Sequence, residues 1–352
     1  MSKAESGDLA TKFRRLIARE GSISLAQYMG ESNANYYNTR DPLGNSGDFI
    51  TAPEISQIFG ELIGLWLADI WTRAGKPDPV HYVELGPGRG TLAADALRAA
   101  GRFGLNPQVY FVEGSQNLRA LQRAAVPGVT HHDDLTTLPE NAPILFVANE
   151  FFDALPIRQL VQTDGGWRER MVALDGETFV FVPGNVPMDA ALPEEMRELD
   201  VGTVVETCPA ASAICGEIAD RLKRQGGAGL IIDYGYGRLE AGESLQALKT
   251  HEKVGFFDHP GEADLTAHVD FEMLGDVARQ SGAHLLGVRD QGPWLADMGF
   301  DARSEALARQ SPDKAEILAR QRDRLIASDQ MGTLFKVMGL TAPDWPEGAG
   351  FS

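Results

Sequence analysis

Three glycines at alternate positions, Gly86, Gly88 and Gly90, break a strand-like run at 81–85 and lead into a helix-like run at 92–100, with Glu84 two residues before the first of them. Glycine lets backbone approach a ligand where a Cβ would collide, and the N-terminus of the following helix offers oriented N–H groups. The pattern therefore predicts a nucleotide pocket at a strand-to-helix turn. The next apolar run, 109–112, ends in Glu113, an acid placed to accept from ribose hydroxyls. A dehydrogenase turn is spaced G-x-G-x-x-G to admit a pyrophosphate, whereas this one reads G-x-G-x-G. A carboxylate at Glu84 would repel a pyrophosphate and suit an ammonium or a sulfonium. S-adenosylmethionine carries both and is the cofactor predicted; a dinucleotide and a tight glycine turn without a ligand are the alternatives.

A further cofactor candidate is the run His131, His132, Asp133, Asp134, Leu135 at the end of a third strand. Its two acids can accept from an adenine amino group while a neighbouring backbone N–H donates to a ring nitrogen. Two His and two Asp also suggest a metal, but consecutive strand residues face opposite sides, so at most half converge and no metal is expected. A solvated turn is the remaining reading.

The fourth apolar run ends in Asn149, Glu150, Phe151, Phe152 and Asp153, at the sheet edge where such folds do their chemistry. Methyl transfer from a sulfonium needs an aligned lone pair and a dry site rather than a covalent intermediate. If the acceptor is a guanidinium, Glu150 beside Asn149 would grip it bidentately and leave the far nitrogen more nucleophilic, with Asp153 as a second carboxylate. Phe151 or Phe152 would cover the cation. Against this stands a structural reading in which the acids cap a helix and the rings fill the core. His268 would take a proton after transfer with Asp270 orienting it, although an Asp directly before Phe271 equally reads as an N-cap. The turn-rich loop 40–54 holds Gly47, Asp48, Phe49, Thr51 and Pro53, and Pro53 followed by an acid is a helix-start signal.

The elements that must position these residues alternate. Strand-like runs at 81–85, 109–113, near 129, 144–149, 229–233, 284–289 and 334–338 are separated by helical spacings, which predicts a doubly wound, Rossmann-like α/β sheet of about seven strands. Runs at 157–162, 167–174 and 178–182, joined by Gly-containing turns, predict an inserted β meander. Residues 9–71 read as mostly helical. The expected organisation is an N-terminal helical segment over 1–78 with the lid-like loop 40–54, a methyl-donor-binding domain over 79–340 with inserts at about 157–200 and 292–330, and a tail at 341–352.

Composition sets the bounds. In 352 residues, 43% hydrophobic and 23% charged content exclude disorder, and no apolar run reaches membrane-spanning length. A net charge of −18 argues against nucleic acid as a partner, and would either keep the protein soluble or steer a basic protein segment to the pocket. Residues 1–20 mix Lys3, Lys12, Arg14 and Arg15 with Glu5, Asp8 and Glu20 and lack the apolar core of a signal peptide. Cys208 and Cys215 match neither a metal pair nor a redox motif, so buried free thiols in a reducing cytoplasm are expected.

Taken in order, GDFITAPEISQIFG at 47–60, ELGPGRG at 84–90, NEFFDALP at 149–156, DYG at 233–235, DLTAHVD at 264–270, QG at 291–292 and MGTLFK at 331–336 carry a resemblance over roughly 16–340 to the MidA-like methyltransferases. That family includes a mitochondrial assembly factor that methylates an arginine of a respiratory complex I subunit. The resemblance implies a class I S-adenosylmethionine-dependent fold, a protein substrate such as a complex I subunit, symmetric ω-N-dimethylation and a role in complex I assembly. It gives Gly86, Gly88 and Gly90 the cofactor turn and Glu113 the ribose. It likens Asn149-Glu150 to the loop where arginine methyltransferases place a guanidinium-binding glutamate; their second glutamate has only Asp153 as a nearby substitute. The loop at 47–54 belongs to the family pattern and is expected to be a lid. Without a transit peptide the chain is expected to be bacterial and cytoplasmic. Two functions of other classes stay open here: an assembly factor that binds the cofactor and catalyses little, and an NAD-dependent oxidoreductase.

Overall fold

The apolar runs become strands because side chains buried on both faces of a parallel sheet have no polar side to show. A computed structural model describes residues 9–39, 51–238, 240–250 and 252–351. Its main sheet contains β1 (His81–Leu85), β2 (Gln108–Val112), β3 (Thr130–His132), β4 (Ile144–Asn149), β5 (Gly227–Tyr236), β6 (His284–Asp290) and β7 (Phe335–Thr341). Their spatial order is β3-β2-β1-β4-β5-β7-β6, and a short strand Val269–Asp270 pairs with the end of β5. β3, β2, β1, β4 and β5 are mutually parallel, while β7 enters antiparallel between β5 and β6. This is the doubly wound α/β architecture expected. The order reverses between β1 and β4, which opens a crevice beyond their carboxyl ends.

Every residue of β1 and β4 is buried, which holds this edge rigidly. Helix Gln57–Arg73 packs on helix Thr91–Gly101, the helix that begins at the glycine turn. The two backbones come so close that a Cβ on Gly64 would lie 2.1 Å from the carbonyl oxygen of Ala96. A larger residue there would push the turn's own helix away. Residues 300–326 form helices Phe300–Gln310 and Ala315–Ile326, separated by a 3-10 turn at Pro312–Lys314.

The chain divides into two units. The unit just described holds the described residues of 41–153, 212–238 and 269–352. The other holds those of 1–40, 154–211 and 239–268, including helices Leu9–Glu20 and Leu25–Thr39. Its antiparallel meander, Arg158–Thr163, Gly166–Asp175 and Thr178–Pro187, is the insertion expected, and its sheet is completed by Val204–Thr207 and Ile23–Ser24. The core of this unit gathers Phe13, Tyr28 and Phe179, with Phe13 stacked on Tyr28 at 4.6 Å. A three-stranded sheet of Glu252–Val254, Gln246–Lys249 and Asp264–Thr266 was not foreseen, because strands this short and polar show no alternation. Cys215 is buried as expected, whereas Cys208 is only partly so. Among the described residues no helix is long and apolar enough to cross a membrane.

Candidate active site

At the carboxyl end of β1 the chain turns through Gly86 (φ 60°), Gly88 (φ 54°) and Gly90 (φ 83°). All three lie in the left-handed region that only glycine enters without cost. A Cβ on Gly86 would sit 2.8 Å from Cδ2 of Phe151, so the absent side chain is a cradle bounded by that ring. Gly90 is the N-cap of helix Thr91–Gly101 and has no side chain to satisfy the first N–H groups, which stay available to an anion or a carboxylate.

Beyond the turn lies a cavity of about 420 Å³. Gly86, Glu113, Asp133, Asp134, Leu135 and Phe151 all line it, with Ala213, Ile214 and Glu217 from helix Pro209–Gln225 on the facing wall. Glu113 is buried, and burial raises its carboxyl pKa against the hydrogen bonds from Ser115 and Gln122 and the charge of Arg119. Ser115 N donates to its Oε1 at 2.8 Å and Gln122 Nε2 to its Oε2 at 3.0 Å. The carboxylate is thus fixed in orientation. Asp133 pairs with Arg119, and Asp134 accepts from Thr136 N at 2.8 Å, capping the turn Leu135–Thr137. The Thr136 hydroxyl and backbone N–H together hold the Asp134 carboxyl below its ordinary range.

Glu84 is placed differently from the charged group expected. It is buried, does not line this cavity, and accepts from the hydroxyl of Tyr82 at 2.6 Å. Burial pushes its carboxyl pKa up to about 8, against the Tyr82 hydrogen bond that lowers it, so near neutral pH it is largely uncharged. The repulsion of a pyrophosphate by a full charge at Glu84 is corrected accordingly: low-dielectric burial disfavours the charged form. A carboxyl whose folded pKa is raised contributes stability that is complete below its unfolded value and is lost as pH rises through the folded one. Relative to wild type, Glu84→Gln is therefore expected to gain stability between about pH 4.5 and about pH 8 in the cofactor-free protein. Denaturant unfolding across that range checks it; a difference that stays constant with pH would contradict it.

The chain leaves β4 through Glu150 in a left-handed conformation (φ 50°), rare for a non-glycine residue. Glu150 N donates to Ile232 O at 2.9 Å, fixing the bend to β5. Its Oε1 accepts from Ala52 N at 3.0 Å and from Asn149 Nδ2 at 3.1 Å. Asn149 Oδ1 is buried with no hydrogen-bond partner among the described residues. Asp233, fully buried at the end of β5, takes Phe152 N at 2.9 Å and Asp153 N at 3.2 Å on one oxygen and Tyr234 N at 2.9 Å on the other. Burial first, then the charges of Asp153 and Glu150, raises the Asp233 carboxyl well above its usual range. Three acids thus gather at the β4 and β5 edge. Phe152 is buried and meets Phe151 edge-on at 5.5 Å, so one ring fills the core while the other faces the cavity.

Of the lid-like loop, Gly47, Asp48 and Phe49 lie outside the described residues. Thr51 and Pro53 are described: Thr51 is the N-cap of the short helix Ala52–Ile55 and Pro53 lies in its first turn. Glu54 of that helix accepts from the Thr91 hydroxyl beside the glycine turn. His268 lies in the other unit, where its N–H donates to Ser244 Oγ at 2.8 Å. Asp270 takes the capping role, accepting from Met273 N at 3.0 Å. Among the described residues no group of three or more His, Cys, Asp or Glu is arranged to hold a metal.

Sequence reasoning passed over Gln122, Ser115 and Arg119, which hold Glu113 from the next helix, and left Asp233 without a role. Only the Ser115 N-cap position at 115–117 carried a local signal. The cavity suits an adenosine-bearing cofactor: a glycine cradle, an oriented acid, and acids with backbone N–H groups beyond an apolar wall.

A profile of the S-adenosyl-L-methionine-dependent methyltransferases matches residues 62–289. The chain is 37% identical to the mitochondrial protein arginine methyltransferase NDUFAF7 homolog of Drosophila melanogaster, over 96% of this chain and 86% of that one. It is 36% identical to mitochondrial protein arginine methyltransferase NDUFAF7 of Homo sapiens, over 92% and 81%. A crystal structure from Burkholderia thailandensis bound to S-adenosyl-homocysteine superposes with a TM-score of 0.86 at 29% identity, covering 98% of this chain and 94% of that one. The expected cytoplasmic location is overturned by these relatives, which are mitochondrial proteins, although the structural match is bacterial.

Proposed function

The chain belongs to the S-adenosyl-L-methionine-dependent methyltransferase family, and from that premise we propose that it methylates a guanidinium nitrogen of a protein arginine. The dinucleotide alternative falls with that membership, since the cofactor is S-adenosylmethionine. Bound cofactor supplies the methyl group from its sulfonium centre. The glycine turn and Glu113 would hold it, and the Phe151 ring would keep water from the reacting atoms.

The observation that carries the acceptor is the cluster of Glu150, Asp153 and Asp233 at the edge beside that cavity. Acids gathered in a desolvated place repel one another, and a cation with several N–H donors relieves them. Glu150, steadied by Ala52 and Asn149, would draw the guanidinium charge to the nitrogens it binds and leave the remaining nitrogen its lone pair. Asn149 Oδ1 would accept a further N–H, and a carboxylate of the cluster would take the proton released. The names of the relatives support arginine as the target. The motif resemblance supports a finer reading: symmetric ω-N-dimethylation of a respiratory complex I subunit, in aid of that complex's assembly.

The test is to incubate the purified protein with methyl-labelled S-adenosylmethionine and a lysate of cells lacking its gene, then locate the label by mass spectrometry. Label on arginine of one or a few proteins is expected. Label confined to small molecules, or to another type of side chain, would overturn the proposal.

A further inference from the structure

We propose that Gln122 is a positioning residue that ties the glycine turn, Glu113 and His131 into one cofactor-binding geometry. Helix Gln116–Ala125 is amphipathic, and on its buried face, where an apolar residue would pack most simply, stands a fully buried glutamine. A buried amide is costly unless its hydrogen bonds are made. All of them are: Nε2 donates to Gly88 O at 2.8 Å and to Glu113 Oε2 at 3.0 Å, and Oε1 faces His131 Nε2 at 2.8 Å.

The chemistry of the partners dictates which way the amide points. A carbonyl and a carboxylate only accept, so the amide nitrogen must face Gly88 and Glu113. Its oxygen then faces His131, whose Nε2 must carry the hydrogen. Burial, with Arg123 and Arg119 nearby, pushes His131 down to about 4, so the ring stays neutral and that tautomer persists at physiological pH. The Gly88 carbonyl and one Glu113 oxygen are therefore held to the same atom, while Ser115 N holds the other Glu113 oxygen at 2.8 Å. Through this one amide the glycine turn and Glu113 keep a fixed separation. Gln122 itself does not line the cavity, so its effect is transmitted through the groups that do.

The experiment uses the full-length protein, with S-adenosyl-homocysteine as the probe in titration calorimetry. Gln122→Met keeps the volume and removes all three bonds; it is expected to weaken binding about tenfold or more, and to raise the KM for S-adenosylmethionine by more than it lowers kcat. Nitrogen NMR of the histidines is expected to show His131 as the Nε2–H tautomer in wild type and to lose that preference in Gln122→Met. Gln122→Glu covers the case in which Gln122→Met fails to fold. Its carboxyl faces Glu113 and the Gly88 carbonyl, so probe affinity is expected to fall as pH rises, whereas a merely structural role would lower stability without giving binding a new pH dependence. A folded Gln122→Met that binds the probe within about twofold of wild type, or a Gln122→Glu with unchanged, pH-independent affinity, would overturn the proposal.

Discussion

Replacing Glu150 with Gln is expected to lower methyl transfer by about 100-fold or more while changing S-adenosyl-homocysteine affinity less than about threefold. The variant keeps the shape and a carbonyl oxygen able to accept from Ala52 N, so the short helix Ala52–Ile55 stays anchored. What goes is the charge that polarises the acceptor. Glu150 is not among the residues lining the cofactor cavity, which is why binding and transfer should separate. The left-handed backbone at Glu150 is unchanged by the substitution, so a folding defect is not expected to confound the result. Steady-state kinetics with an identified acceptor, beside calorimetry, measures both quantities. Transfer within a few-fold of wild type would remove Glu150 from the chemistry.

The second large effect is expected at the turn. Gly86→Val places a β-branched side chain at φ 60° and a Cβ 2.8 Å from the Phe151 ring, on the wall of the cavity. Cofactor affinity should fall by about 100-fold or more, and the fold should lose about 1–3 kcal/mol from backbone strain and overlap. Adding Phe151→Ala relieves the overlap but not the strain, so only part of each loss should return. Thermal unfolding and calorimetry on the single and double variants check this. Wild-type affinity in Gly86→Val would place the cofactor elsewhere.

These two positions also show what a sequence can and cannot reveal. Gly86, Gly88 and Gly90 were legible because a positive φ is a demand on residue type, and all three adopt one. The central strand Ile144–Asn149 was legible because burial on both faces writes itself as a nearly continuous apolar run. Gln122 was not, because nothing in QNLRALQRAA distinguishes a buried amide that joins three segments from an exposed one. Glu84 was legible as an acid but not as an uncharged one, since its state follows from burial beside Tyr82 rather than from its neighbours in the chain. Asp270 and His268 illustrate the same limit: two residues apart, one caps a helix and the other falls in a different unit. The short polar strands at 246–266 escaped for want of any period.

The most direct measurement compares methylarginine in proteins from cells carrying and lacking this gene, by quantitative mass spectrometry, with the gene restored as wild type or as Glu150→Gln. The account predicts one or a few arginine sites that lose their methyl groups without the gene, regain them with the wild-type protein and do not regain them with Glu150→Gln. Methylarginine unchanged by loss of the gene, or restored equally by both forms, would contradict it.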